Sequence, residues 1–132
     1  MTIGWQSLLA VLVGGGIGSV IRYTVTFAIT QRFGAGFPLW TFIINITGSL
    51  IIGIVAEITQ TRVFAGSALL RLFLMTGVLG GYTTFSTFSL DALTLMREGD
   101  QLLAFAYVAG SVVLGIAAAF GGVALVRAFS SA

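Results

Sequence analysis

Four long stretches of the chain contain no charged residue, and their continuous apolar character predicts four membrane helices. The stretches cover residues 1–21, 33–56, 72–90 and 101–126. Each reaches the length of about 18 apolar residues that is typical of a helix crossing a bilayer. We expect one integral membrane domain over residues 1–132, with helices at about 5–30, 38–57, 68–96 and 102–127.

The third stretch departs from this pattern at residues 80–89, which read GGYTTFSTFS. Glycines followed by the β-branched Thr83 and Thr84 weaken a helix, so we expect a break near residues 77–84. Inside a membrane, non-helical backbone persists only where it is buried in protein or lines a cavity. Freed carbonyls can bind cations, and half-helix N-termini favour anions. The alternative is a continuous helix whose hydroxyls bond back to the preceding turn.

Composition supports a membrane protein and excludes several classes of chemistry. The chain is 58% hydrophobic and 8% charged, with a mean hydropathy of +1.10. It has no Cys, His or Lys, which excludes thiolate and imidazole metal sites and a phosphate-binding lysine loop. We therefore expect no enzyme, and six scattered arginines predict no nucleic-acid partner. No basic residue precedes the first apolar stretch, so we expect it to be a retained helix rather than a signal peptide.

The arginines give the chain almost no preferred orientation. With four helices, Arg62, Arg71 and Arg127 lie on one side of the membrane, and Arg32 and Arg97 on the other. Basic loops normally stay cytoplasmic, and three against two is a weak bias. The hypothesis is that the chain inserts both ways round and pairs as an antiparallel homodimer in the lipid bilayer.

Small residues at four-residue spacing indicate close helix contacts. The pairs are Gly14 with Gly18, Gly77 with Gly81, and Ser111 with Gly115. Such pairs commonly join membrane helices. Dimerisation is the expected use, and packing within one subunit remains the alternative.

Several side chains within the helices are candidates for an ion pathway. Phe85 and Phe88 are three residues apart and share a helix face, and their electropositive ring edges can stabilise an anion; ordinary packing is the alternative. Thr84, Thr87 and Asp91 form a neighbouring face.

Four further polar residues fit the same pathway. Asn45 can donate to an anion or bond a neighbouring helix, and the same choice applies to the strip of Tyr107 and Ser111 on helix 4. Arg22 is costly at the bilayer centre. It is expected either to reach the interface or to give a vestibule positive potential.

The stretch GGYTTFSTFS, preceded by TGVLG, closely resembles the GGLTTFSTFS signature of the CrcB/Fluc fluoride channels. GGGIGSVIRY in helix 1 and TFIINITGSLIIG in helix 2 also resemble the family, so that the likeness extends along the chain. Tyr82 stands where Leu is usual and Asp91 where Glu is common. Gly115 and Ala119 stand where hydroxyls are expected on helix 4.

The resemblance implies a fold and a function. The fold is an all-α membrane protein with four helices per subunit, a break in helix 3, and a dual-topology antiparallel homodimer. The function is a fluoride-selective channel of the bacterial inner membrane that passively exports cytoplasmic fluoride and reduces its toxicity.

The resemblance also implies site residues. A structural Na⁺ at the dimer centre would be held by the backbone carbonyls of Gly80 and Thr83. Fluoride would pass Asn45, Phe85, Phe88, Thr87, Tyr107 and Ser111. Arg22 would lie at the vestibule.

Two other functions are open. A small dual-topology multidrug exporter is expected to carry a membrane-embedded acid on helix 1, where this chain has Arg22 and no acid. A non-transporting membrane assembly protein would use its polar residues only to join helices.

Overall fold

The structure is a computed structural model that describes residues 4–34, 36–60 and 68–130. Within these ranges all regular structure is helical. Helix 1 is Trp5–Phe33 and helix 2 is Leu39–Ile58. Helix 3 lies between Ala68 and Arg97 in two halves, and helix 4 is Gln101–Ser130. Arg62, which entered the charge count, lies outside the described residues.

The ends of the helices follow from local chemistry. Pro38, which has no N–H to leave unpaired, immediately precedes helix 2, and its carbonyl accepts from the Phe42 amide at 3.2 Å. Gly34 ends helix 1 with φ 77°, and its amide donates to the Thr30 carbonyl at 2.9 Å. Gly99, with φ 92°, makes the turn into helix 4. Both glycines adopt the left-handed region that other residues avoid.

Helix 3 is interrupted where Thr83 and Thr84 adopt extended backbone, with ψ values of 159° and 115°. Its first half consists of an α-helical turn at Ala68–Arg71, a π-helical segment at Leu72–Leu79 and a last turn at Gly80–Tyr82. Its second half is the α-helix Phe85–Arg97. The predicted break is therefore present, and it follows a wide π-helical segment that the sequence pattern does not indicate.

Glycines join helix 1 to the first half of helix 3 within the subunit. A Cβ on Gly77 would lie 2.9 Å from the Gly14 Cα, and a Cβ on Gly18 would overlap the Val78 carbonyl. Gly81 has the backbone of Gly15 against it in the same way. The expectation that these two glycine pairs serve dimerisation is wrong, because this contact within the subunit already uses them.

Helices 2 and 4 form the other closely packed pair, and the second half of helix 3 packs against helix 4. A Cβ on Gly53 would overlap the Ala119 carbonyl, and one on Gly115 would lie 3.5 Å from the Ser49 Oγ. At one end of this pair, Arg127 donates to Glu57 across 2.9 Å.

The outer surface of the subunit is strongly apolar. Leu12 is 70% exposed, Phe120 73% and Leu102 82%. All four helices are long and apolar enough to cross a membrane. The protein is a multi-pass membrane protein whose exposed side chains face lipid or another protein surface.

Candidate functional site

An open cavity of about 350 Å³ lies beside the break in helix 3, between helices 2, 3 and 4. Its walls are mostly apolar, with hydroxyl, amide and backbone groups at a few points. The lining residues with functional interest are Asn45, Ser49, Gly80, Thr83, Phe85 and Ser111. None of the residues that line it carries a charge.

The break is held open by Asn45 on helix 2. The Asn45 Nδ2 donates to the Thr84 carbonyl at 3.2 Å, and the Thr84 amide donates to the Asn45 Oδ1 at 3.0 Å. The Thr84 side chain then begins the second half of helix 3, since its Oγ1 accepts from the Thr87 amide at 3.2 Å. A Thr in this capping position satisfies an amide that the helix itself cannot.

The amides of Thr84 and Thr87 both have hydrogen-bond partners other than those of a continuous helix, and two backbone carbonyls lose their donors as a result. In a continuous α-helix the Thr84 amide would bond to the Gly80 carbonyl, and the Thr87 amide to the Thr83 carbonyl. Here the first amide bonds to Asn45 and the second to the Thr84 side chain. The carbonyls of Gly80 and Thr83, predicted as cation ligands, are thus among the carbonyls that lose their helical donors.

Arg22 reaches the same backbone from helix 1. Its Nη1 lies 3.4 Å from the Thr83 carbonyl, in a half-buried position. The arginine predicted for a vestibule therefore contacts the break itself, and its positive charge lies beside the half-helix that Phe85 begins.

Aromatic rings line the start of the second half of helix 3. The Phe85 and Phe88 ring centroids are 5.6 Å apart with the rings tilted by 39°, and both residues line the cavity. Phe88 lies against Tyr107 at 5.3 Å, whereas Phe85 is 78% exposed. An exposed ring at a cavity mouth leaves its edge accessible to an ion or to a second subunit.

The Ser111 hydroxyl is buried at the cavity wall without a hydrogen-bond partner among the described residues. A serine in a helix usually bonds to a carbonyl one turn earlier. Buried hydroxyls that lack a partner are uncommon, because the lost hydration is not replaced. This hydroxyl is therefore a donor at the cavity wall that the described part of the subunit leaves unused.

Two of the residues predicted for the pore lie away from this cavity. Thr87 contacts Thr84, whose Oγ1 donates to the Thr87 Oγ1 at 3.0 Å. Tyr107 is 1% exposed, and its hydroxyl donates to the Asp91 carboxylate at 3.3 Å. Their roles in a pathway stay predictions, whereas Asn45, Phe85, Phe88 and Ser111 are brought together around one space.

Sequence reasoning missed two polar contacts next to the site. Asp91 accepts a short bond of 2.6 Å from Thr41, which is buried on helix 2. Thr47 and Tyr82 share a hydrogen bond of 2.9 Å. The sequence did contain a signal for the contact of Thr41, since Thr41 precedes Asn45 by four residues and therefore lies on a similar face of helix 2.

A cation at the break would have uncharged oxygen ligands, among them backbone carbonyls. The described residues contain no group of three acidic side chains that could hold a metal ion, and the sequence has no Cys or His. Hard cations such as sodium favour oxygen ligands, including carbonyls. The freed carbonyls of Gly80 and Thr83 fit that requirement.

Comparison with known proteins gives consistent matches along most of the chain. Residues 9–123 match the family described as CrcB-like protein, Camphor Resistance (CrcB). A relative from Rhizobium meliloti, named fluoride-specific ion channel FluC, is 49% identical over 92% of this chain and 96% of its own length. One from Nitrobacter hamburgensis, fluoride-specific ion channel FluC 2, is 50% identical over 92% of this chain and 98% of its own length. From its sequence and its helical architecture, the chain belongs to the CrcB-like protein family.

Proposed function

We propose that the protein is a fluoride-selective ion channel that passively exports cytoplasmic fluoride. The observation that carries the proposal is the Ser111 hydroxyl, which is buried without a partner in the same uncharged cavity as Asn45, Phe85 and Phe88. Relatives that are about half identical over nearly their full length are named fluoride-specific ion channels, which supports the same ion.

The cavity offers a small anion several weak partners and no fixed charge. The Asn45 amide has two N–H groups, of which one donates to Thr84; the second is available together with the Ser111 hydroxyl. The rings of Phe85 and Phe88 carry positive potential at their edges. Conduction requires binding that replaces lost water without trapping the ion, and neutral donors with ring edges meet both conditions.

The driving force for fluoride export requires no chemical reaction by the protein. HF is a neutral weak acid that crosses lipid, dissociates in a less acidic cytoplasm and leaves fluoride as a trapped anion. With the cell interior negative, each 100 mV favours the exit of one negative charge by about 2.3 kcal/mol. A passive pore is sufficient, and no catalytic residue is assigned.

The functional unit in this proposal is an antiparallel homodimer. Phe85 is 78% exposed in the single subunit, and the cavity that it lines is open. A second copy would close the pathway and cover the ring. The nearly even distribution of arginines between the two sides supports insertion in both orientations.

A structural sodium ion belongs to the same proposal. The carbonyls of Gly80 and Thr83 have lost their helical amide donors, and Gly80 is exposed in the single subunit. Bound sodium would compensate these carbonyl dipoles where two subunits meet. Asn45 keeps the Gly80 carbonyl free by accepting from the Thr84 amide. The Thr83 carbonyl accepts from Arg22 on helix 1 and keeps a second lone pair.

Ion efflux from liposomes tests the function. Purified protein is reconstituted with potassium fluoride inside, valinomycin to balance charge and a fluoride electrode outside, beside identical vesicles that hold potassium chloride. Rapid fluoride loss with negligible chloride loss is expected. Dimeric, sodium-supplied protein that releases neither ion would contradict the proposal and favour an assembly protein.

A further inference from the structure

Tyr82 ends the first half of helix 3 and is tied to helix 2 by its hydroxyl. The phenol oxygen lies 2.9 Å from the Thr47 Oγ1. Thr47 has one hydroxyl hydrogen, and its Oγ1 lies 2.7 Å from the Ile43 carbonyl and 3.2 Å from the Ile44 carbonyl, which can only accept. With that hydrogen on either carbonyl, Thr47 accepts from the Tyr82 phenol. Tyr82 is therefore the donor, and a residue without a hydroxyl at this position could not make the bond.

This contact completes a series along the break. Asn45 bonds to both backbone groups of Thr84. Gly48 accommodates the Thr83 methyl group, which a Cβ on Gly48 would overlap. With the bond from Tyr82, three consecutive residues of helix 3 are each engaged by the same segment of helix 2.

Helix 1 restrains Tyr82 from the opposite side. A Cβ on Gly18 would lie 2.9 Å from the Tyr82 amide nitrogen, which shows how closely the two backbones approach. Arg22, one turn further along helix 1, donates to the Thr83 carbonyl at 3.4 Å. The backbone between residues 82 and 84 thus lies between helices 1 and 2, and the phenol bond ties the Tyr82 side chain to helix 2.

We propose that Tyr82 is a positioning residue that, through its hydrogen bond to Thr47, sets the direction of the freed carbonyls of Gly80 and Thr83. The inference rests on the proposed function in so far as those carbonyls bind sodium. Tyr82 itself touches neither ion. Its contribution is to restrict the backbone conformations of the break, so that the carbonyls are preorganised for a cation.

Hydrogen exchange across a double-mutant cycle tests the inference directly. Wild type, Tyr82→Phe, Thr47→Val and the double variant are compared by mass spectrometry on peptides that cover residues 83–87. The dimers are in detergent, first without sodium and then across a sodium titration. Tyr23→Phe is the matched control, because Tyr23 lies on helix 1 and is 72% exposed.

Loss of one neutral hydrogen bond is expected to accelerate exchange in these peptides about fivefold in either single variant. The double variant should be no faster than the singles, because both remove the same bond. The sodium concentration that gives half of the maximal protection should rise by a similar factor. The control should match wild type in both respects.

Each outcome has a separate meaning. Unchanged exchange in Tyr82→Phe, or effects of the two single changes that simply add, would overturn the positioning role. If the hydrogen-exchange protection of wild type does not change with sodium concentration, the link to the cation is overturned. The double-mutant cycle without sodium then still tests the hydrogen bond between Tyr82 and Thr47. A wild-type protein with this full pattern and no fluoride efflux would overturn the proposed function and leave the positioning role standing.

Discussion

The Asn45 side chain forms hydrogen bonds with both the amide and the carbonyl of Thr84, at 3.0 and 3.2 Å. One residue of helix 2 thereby replaces the helical acceptor of the Thr84 amide. It also adds a second donor to the Thr84 carbonyl, which as the N-cap accepts the first bond of the helix that follows. The amide and the carbonyl of Thr84 are thereby satisfied within the break, as the interior of a membrane requires of polar backbone groups.

Asn45→Ala is expected to destabilise the subunit by about 1–3 kcal/mol. The change leaves the buried Thr84 amide without a partner, which costs about 1–3 kcal/mol. The Thr84 carbonyl, as the N-cap, still accepts the first bond of the helix that follows. Thermal unfolding in detergent, followed by circular dichroism, measures the loss. Ser49→Ala is the control, since Ser49 lines the same cavity from the next turn of helix 2. A variant at Asn45 as stable as this control would contradict the assignment.

Gly18→Ala is expected to destabilise the protein by about 3 kcal/mol, the upper end of what overpacking costs. The added methyl group would overlap the Val78 carbonyl, and backbone cannot rotate away as a side chain can. Gly16→Ala is a matched control on the same helix, because nothing lies within 4 Å of the new Cβ. The yield of folded protein and its melting temperature distinguish the two. Equal behaviour would show that helices 1 and 3 are not packed at Gly18.

The sequence indicates the break in helix 3 and the presence of close glycine contacts, but not the partners of either. Glycines followed by Thr83 and Thr84 predict the break, because local backbone preferences act at that point. The partner of the break cannot be predicted in this way, since it depends on which turn of helix 2 faces Thr84. The glycine pairs likewise predict a close contact and not its partner, because a small-residue face fits a helix of the same subunit or of another.

The candidate pathway shows the same limit. Tyr107 and Ser111 are four residues apart and share a face of helix 4. The structure nevertheless directs the Tyr107 hydroxyl to Asp91 and leaves Ser111 at the cavity. The two side chains differ because Tyr107 is long enough to reach Asp91 on the neighbouring helix and Ser111 is not. The spacing of residues within helix 4 indicates neither the side-chain reach nor the position of Asp91.

Ser111→Ala is expected to reduce fluoride efflux about tenfold and to leave stability within about 0.5 kcal/mol of wild type. The hydroxyl has no partner among the described residues, so its removal breaks no bond in the protein, whereas a passing anion would lose a donor. Electrode-measured efflux and thermal unfolding are compared on the same preparation. Ser89→Ala is the control, because the Ser89 hydroxyl bonds back to the Phe85 carbonyl at 2.9 Å. Full efflux from the Ser111 variant would remove this residue from the pathway.

Phe85→Ile and Phe88→Ile are each expected to lower fluoride efflux by at least about tenfold while the dimer persists. Isoleucine retains apolar bulk and lacks the electropositive ring edge, so a loss of about 1.4 kcal/mol in anion stabilisation corresponds to that factor. Efflux is measured with the fluoride electrode, and size-exclusion chromatography with light scattering reports the dimer. Phe105→Ile is the control, because Phe105 is 69% exposed on helix 4 and does not line the cavity. If both ring variants conduct like wild type, the rings only pack, and the anion must be stabilised by the amide and hydroxyl donors alone.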